Sequence, residues 1–301
     1  MKLGFIGLGK MGKNMVLHLL EQGIDVFAYN RTQQATDQLK AENPKLTVAY
    51  TTQDFVKLLP SPRVIWLMVA AGAPVDEVID SLIASGIQKD DIVIDGGNSF
   101  YKDSIRRNDK LSKSSIKYID CGTSGGLEGG RNGACLMLGG EESVIERLRW
   151  LWDALAIKDG WNHFGPAGAG HFVKMVHNAV EYGIDQALGE GFEMLAKSPY
   201  ELDLVRVANT WNHGSVVRSW LIELLGRALT KDPHLDTFTG KVGGGETGVW
   251  ALATAKELGV DAKILEDAIS ARKTSLTTPT FVTKVVSALR KEYGGHEEKT
   301  G

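Results

Sequence analysis

The chain has 301 residues, 43% of them hydrophobic and 24% charged, which is room for two hydrophobic cores and the balance of an ordinary globular protein. A formal net charge of −3 excludes the basic field that holds a nucleic-acid backbone or an anionic membrane surface. The two cysteines, Cys121 and Cys135, have neither metal-ligand spacing nor the density of a disulfide scaffold, so a reducing cytoplasm is the expected setting.

Lys2–Ile6 reads as a strand, although Lys10 and Lys13 soon interrupt the N-terminal apolar run and argue against a signal peptide. Gly7-Leu8-Gly9-Lys10-Met11-Gly12 follows that strand directly and opens a helix over Met11–Gln22. Three glycines at this spacing, with strand before and helix after, predict a dinucleotide loop. Gly7 allows the tight turn, Gly9 lets backbone approach a pyrophosphate, and Gly12 lets helix and strand pack closely while helix N-terminal amides face the phosphates. The second strand, Asp25–Tyr29, ends at Asn30-Arg31-Thr32. This lies about 20 residues past the glycines, where a carboxylate would hold the ribose 2′-hydroxyl of NAD. Asn30 carries no charge to repel a 2′-phosphate, and Arg31 offers a planar fork of donors to one. NADP is therefore favoured, with NAD possible because Arg31 can stack on adenine instead.

Further strands are predicted over Val64–Met68, Ile92–Ile94, Lys117–Asp120 and Cys135–Leu138, alternating with helices over Gln33–Ala41, Pro74–Ala84 and Tyr101–Lys113. That alternation reads as an α/β Rossmann domain, a doubly wound parallel sheet. The apolar stretch Val64–Val75 contains Gly72 and Pro74 and is too short to span a bilayer, so a soluble protein is expected. Two glycine clusters follow candidate strands: Asp95-Gly-Gly-Asn98-Ser99 and Gly122-Thr-Ser124-Gly125-Gly126. Either alone fits a plain turn equally well, but with the first loop they outline a ligand cleft at the carboxyl edge of the sheet. Asn98 would offer its amide to substrate or nicotinamide, and Ser124, Gly125 and Gly126 a hydroxyl and backbone donors to a carboxylate.

The pattern changes near Trp161–Gly170, which divides the chain into a dinucleotide-binding domain over 1–165 and an all-helical substrate and oligomerisation domain over 166–301. Helical periods are predicted over His171–Leu195, Leu202–Asn209, Ser219–Leu229, Gly248–Leu258, Ala262–Ser270 and Pro279–Lys291. On the first of these, Lys174, His177, Asn178, Glu181 and Asp185 share one narrow sector at about 100° per residue, with Phe172, Val173, Met175, Val176, Ala179 and Val180 covering much of the other side. In an isolated helix such a face would be an ordinary solvated one. Its composition and its place just past a glycine-rich segment point instead to a site.

These strings resemble the 6-phosphogluconate dehydrogenase (decarboxylating) family in its short form, within the β-hydroxyacid dehydrogenase superfamily. The resemblance rests on Gly7 to Gly12 with Asn14, Asn30 to Thr32, Asp95 to Ser99, Ser124 to Gly126 and, above all, Gly170-His-Phe-Val-Lys-Met-Val-His-Asn-Ala-Val-Glu-Tyr-Gly183. It implies oxidation of 6-phosphogluconate at C3, loss of CO2 and release of ribulose 5-phosphate, with no metal. Lys174 is then the general base and Glu181 the general acid, while His177, Asn178 and Asn98 orient the sugar acid. Tyr182, Arg272, Arg290 and His296 would hold the phosphate. In the family the tail reaches a neighbouring subunit's site, which implies a homodimer or homotetramer. The segment Gly243–Trp250 departs from the pattern, because Gly245 stands where relatives place a cation or a different polar pattern. Alternative readings are a non-decarboxylating reductase of a small semialdehyde, and a nucleotide-binding regulatory module. Gluconate catabolism and the pentose phosphate route both fit the first reading.

Overall fold

The computed structural model describes residues 1–243 and 245–298. The chain forms two compact units, Met1–Lys174 and one beginning at Met175.

The first unit carries eight strands: β1 (Lys2–Ile6), β2 (Asp25–Tyr29), β3 (Thr47–Ala49), β4 (Val64–Leu67), β5 (Ile92–Asp95), β6 (Lys117–Ser124), β7 (Ala134–Gly140) and β8 (Ala156–Gly165). They make one sheet in the order β3-β2-β1-β4-β5-β6-β7-β8. The first six strands run parallel, β7 is antiparallel to β6, and β8 is parallel to β7. The strand order reverses at β1, the switch point at which open α/β sheets bind ligands. Both faces of the sheet are covered, so β1 and β4 are apolar on both sides instead of alternating. Leu3, Phe5 and Trp66 pack with Met15, Leu19 and Trp152 on one face. Ile6, Ile65 and Leu67 pack with Phe55, Ile79 and Leu111 on the other.

The crossover helices are α1 (Lys10–Glu21), α2 (Gln33–Glu42), α3 (Thr52–Leu58), α4 (Ala73–Ala84), α5 (Tyr101–Ser112), α6 (Gly126–Asn132), α7 (Glu142–Arg147) and α8 (Arg149–Leu155). The main correction to the sequence reading lies at the second glycine cluster. Gly122 to Ser124 are not a loop after β6 but part of it, because β7 supplies antiparallel partners as far as the pair Ser124 and Cys135. Gly125, at φ +112°, and Gly126, at φ +59°, turn the chain into α6.

Helix α9 (Ala169–Ala196) begins in the first unit and continues into the second. The second unit then contains α10 (Leu204–Trp211), α11 (Trp220–Lys231), α12 (Glu246–Glu257), α13 (Lys263–Thr274) and α14 (Phe281–Gly294). Between Met175 and Glu298 no strand occurs among the described residues. Three of these helices start on side-chain caps. Asp203 accepts from Val205 and Arg206, Ser219 from Ile222, and Thr280 from Thr283, each satisfying amides that a helix start leaves open. The core gathers Phe192, Ile222, Leu225, Leu229, Val285 and Leu289. No helix among the described residues is long and apolar enough to cross a membrane.

Candidate active site

The first glycine loop has the geometry its spacing predicts. Gly7 sits at φ +104°, donates its N–H to the Tyr29 carbonyl at 3.1 Å, and has no room for a Cβ against the Met68 carbonyl. Gly12 packs so close to the Gly7 carbonyl oxygen that a Cβ would overlap it. A Cβ at Gly9, by contrast, would meet nothing within 4 Å. The turn is therefore tight on its protein side and open where backbone would approach a phosphate. Gly9 also precedes the first turn of α1 without a side-chain cap, which leaves helix amides available to an anion. Lys10 is exposed and Met11 half-buried beside this opening, and a Cβ at Gly130 would lie 2.7 Å from the Met11 Sδ. Asn30 is already engaged: its Oδ1 accepts from the Leu8 N–H at 2.9 Å, and its Nδ2 donates to the Thr32 carbonyl at 3.0 Å. Its role is to tie the glycine turn to the end of β2. Arg31 and Thr32 are exposed just beyond it, so the cation that could face a 2′-phosphate is open to solvent.

The Asn98 loop is held from below by Asp95 together with Tyr118 and Arg107, which sequence reasoning missed. Asp95, fully buried at the end of β5, accepts from the Ser99 hydroxyl (2.8 Å), Tyr118 hydroxyl (3.2 Å), Arg107 Nη1 (3.2 Å) and Gly97 N–H (3.2 Å). Arg107, itself fully buried, also reaches Asp76 at 3.0 Å and the Gly72 carbonyl at 2.9 Å. Asn98 is left exposed at the tip of a rigid loop. Burial alone would push the Asp76 carboxyl up, but hydrogen bonds from Arg107 and Arg106 outweigh it and hold the group at about 2. A depressed carboxylate contributes stability that is present above its unfolded value and lost as pH falls through the folded one. Asp76→Asn should therefore cost about 2 kcal/mol or more at neutral pH, because the fully buried Arg107 also loses part of its counter-charge. In urea unfolding, the gap from the parent protein should close as the pH is taken from 6 toward 2; a gap that stays constant would refute the assignment.

The start of α9 is pinned to the sheet within the first unit. Asp120 on β6 accepts from the Gly168 N–H at 2.6 Å and the His171 N–H at 2.7 Å, serving as the N-terminal cap that the local sequence lacks. The buried His171 ring donates from Nε2 to the Gly97 carbonyl at 3.1 Å, since a carbonyl can only accept. Its Nδ1 lies 2.7 Å from the Ser104 hydroxyl, a second hydrogen bond that holds the ring in place. One turn further on lies Lys174, only 8% exposed, with its Cβ and Cγ over Gly122 of β6. Ser124, at the end of that strand, is half-buried, as are Gly125 and Gly126, which open α6.

Beyond Lys174 the helix is unusual in what it buries. Val176, Val180 and Ile184 are 43%, 57% and 42% exposed, whereas Asp185 on the polar stripe is fully buried. The polar stripe is thus not a solvated face. His177 Nδ1 donates to the Asn178 Oδ1 at 3.1 Å, and Glu181 is half-buried one turn on. Tyr182 is buried under Arg272, whose guanidinium carbon lies 3.5 Å from the ring centroid. Arg272 donates to the Asp185 Oδ2 at 3.0 Å, and the Tyr293 hydroxyl to the same oxygen at 3.4 Å. Tyr182, Arg272, Gly245, Glu246, Val249 and Ile269 line a cavity of about 160 Å³. Gly245 contributes no side chain to it, and Gly244 in the same run lies outside the described residues. Of the tail pair, Arg290 is half-buried within electrostatic reach of Asp185. His296 is exposed, its N–H on the Arg290 carbonyl at 3.3 Å and its ring edge-on to Tyr293.

Comparison with known proteins bears on this arrangement. Residues 2–161 match the family model described as the NAD binding domain of 6-phosphogluconate dehydrogenase. Residues 170–298 match the model of the 6-phosphogluconate dehydrogenase C-terminal domain. A relative from Bacillus subtilis (strain 168), YqeC, named only provisionally as a 6-phosphogluconate dehydrogenase, is 43% identical over 98% of each chain. The NAD(+)-dependent, decarboxylating 6-phosphogluconate dehydrogenase of Haloferax volcanii is 41% identical over 99% of this chain and 98% of its own. Among solved structures, Plasmodium falciparum 6-phosphogluconate dehydrogenase superposes with a TM-score of 0.84 at 30% identity. That match covers 92% of this chain but 62% of the longer Plasmodium one.

Proposed function

The chain belongs to the 6-phosphogluconate dehydrogenase family, and on that premise we propose that it is a cytoplasmic enzyme oxidising 6-phosphogluconate to ribulose 5-phosphate and CO2. The observation that carries this reading is α9, which sets Lys174 buried over Gly122 and, within the next two turns, the bonded pair His177 and Asn178 and then Glu181. Bound nicotinamide, seated on Gly7 to Gly12 and Asn30 to Thr32, would take a hydride from C3. Lys174 as the free amine removes the C3 hydroxyl proton and, once protonated, polarises the new C3 carbonyl while the carboxylate leaves as CO2. Glu181 then protonates C1 of the enediol. One proton leaves oxygen and one arrives on carbon, so the sequence closes without a net proton and without a metal. His177, Asn178, Asn98 and the Ser124–Gly126 segment orient the hydroxyls and carboxylate, and Tyr182, Arg272, Arg290 and His296 receive the phosphate.

Incubation with 6-phosphogluconate and NADP or NAD, following reduced cofactor and CO2 together, tests the proposal. Both products in equal amount are expected. Reduced cofactor without CO2 would leave a non-decarboxylating hydroxyacid dehydrogenase, and neither product a binding module. NADP is the favoured cofactor, on the strength of the exposed Arg31 and the absence of a carboxylate at Asn30. Arg31→Ala should weaken NADP about tenfold or more while changing NAD little, since a charge-assisted hydrogen bond is worth about 1.5–3 kcal/mol; equal losses for both would mean the ribose pocket is misread. A homo-oligomer, a dimer or tetramer in which Arg290 and His296 serve a neighbouring copy's site, is part of the same proposal. Its support is the exposed ridge Val176, Val180 and Ile184, apolar surface at helical spacing that water alone covers poorly.

A further inference from the structure

Asp185 has no part in the chemistry above, yet it is fully buried and its Oδ1 has no hydrogen-bond partner among the described residues. Its Oδ2 takes the Arg272 Nη2 at 3.0 Å. Arg272 is 3% exposed and has two working sides, one bonded to Asp185, the other on the Tyr182 ring and the cavity that both residues line. We infer that Asp185 is a proton-linked counter-charge to Arg272: when an anion docks on the guanidinium from the cavity, Asp185 takes up a proton. The inference rests on reading Arg272 as the cation that receives the substrate phosphate.

The charges facing Asp185 make the sign definite. They are Glu181 from its own helix, Arg272 from α13, and Arg290 with the neutral Tyr293 hydroxyl from α14. Two carboxylates and two guanidinium groups balance. A phosphate ester brings a further −1.5 to −2 near neutral pH, and the cluster can then shed negative charge most cheaply where a carboxylate is least solvated. That place is Asp185, whose bare Oδ1 accepts the proton from solvent as an O–H bond forms. Burial already raises Asp185 to about 7 despite the opposing field of Arg272, so the uptake falls within the working range of pH. Asp185 is in this sense a positioning residue, acting on substrate through Arg272.

The test is calorimetric titration of the full-length protein with 6-phosphogluconate, cofactor omitted, between pH 7.5 and 8.5 in buffers of different ionisation enthalpy. The parent protein should take up a substantial fraction of one proton per anion bound, and its affinity should fall by up to about tenfold over that pH unit. Asp185→Asn, a neutral isostere of the protonated side chain, should show no uptake, a flat affinity, and tighter binding than the parent at pH 8.5. Titration of the phosphate itself is common to both proteins and cancels. Equal proton uptake in the two, or none in the parent, overturns the inference. Should Asp185→Asn not fold, Tyr293→Phe removes the hydroxyl that favours the Asp185 carboxylate. It should move the onset of uptake to higher pH; an unmoved onset counts against the inference. If 6-phosphogluconate does not bind the parent at all, the functional proposal fails. Inorganic sulfate, which does not titrate, then replaces it: uptake in the parent and none in Asp185→Asn sustains the inference, and no uptake in the parent ends it.

Discussion

Lys174→Met is expected to lower kcat by about 10³-fold while leaving cofactor affinity unchanged, the scale that loss of a positioned general base carries. Methionine matches the length of the lysine stem and suits an 8% exposed position, so folding should survive the exchange. What it removes is the only atom at that position able to accept a proton. The glycine loop and Asn30 owe their geometry to Tyr29, Met68 and Leu8, and NADPH fluorescence should titrate as in the parent. Turnover above about a tenth of the parent rate would remove Lys174 as the base and return the proton transfer to His177 or Glu181.

The second large effect is expected from a single methyl group. Gly122→Ala puts a Cβ into the Lys174 Cβ, with the Gly170 carbonyl at 3.1 Å on another side. Neither neighbour can swing away, because α9 is fixed at its start by the two amides on Asp120, and a Cβ at Gly170 would itself overlap the Met137 carbonyl. The helix must shift or the strand must bulge. Overpacking of this kind costs about 1–3 kcal/mol, and a displacement of about 1 Å at the base costs about 10²-fold in rate. Gly191→Ala on the same helix, where an added Cβ meets nothing within 4 Å, is the matched control and should be neutral or slightly stabilising. Thermal unfolding and kcat measured together decide the matter. A Gly122→Ala protein with unchanged kcat would mean that Lys174 is not held where the backbone puts it.

Why some of this was legible in sequence and some not follows from where each element finds its partners. β1, β2, β4 and β5 announce themselves because both sheet faces are covered, leaving short unbroken apolar runs bounded by turns. β8 escaped because it is an outer strand in which Lys158, Asp159, Asn162 and His163 break any apolar pattern. The end of β6 was read as a loop because the hydrogen bonds that keep Gly122 to Ser124 extended come from β7, more than ten residues on. The stripe from Lys174 to Asp185 could be read as one face from helical period alone, but not which of its members would be buried. The pairing of Asp185 with Arg272 spans 87 residues of chain, and Arg107 with Asp76 spans 31. No local pattern encodes either. Arg107 in particular sits beside Arg106 in a helix that reads as ordinary surface, though one of the two is fully buried.

Helix α6 places Gly126, Gly129 and Gly130 among its seven residues, a composition with almost no tendency to be helical on its own. It stands because α1 lies against it. Asn14 of α1 donates to the Leu127 carbonyl at 3.1 Å, Met11 fills the space over Gly130, and Arg131 pairs with Glu21 at 2.6 Å. The turn that would cradle the dinucleotide and the segment that would grip the sugar acid are therefore two ends of a single stiff wedge. Neither can be retuned alone. A substitution on the inner side of α1 chosen to alter cofactor preference will register at Ser124 as well, and a redesign of either specificity has to treat the two helices as one part.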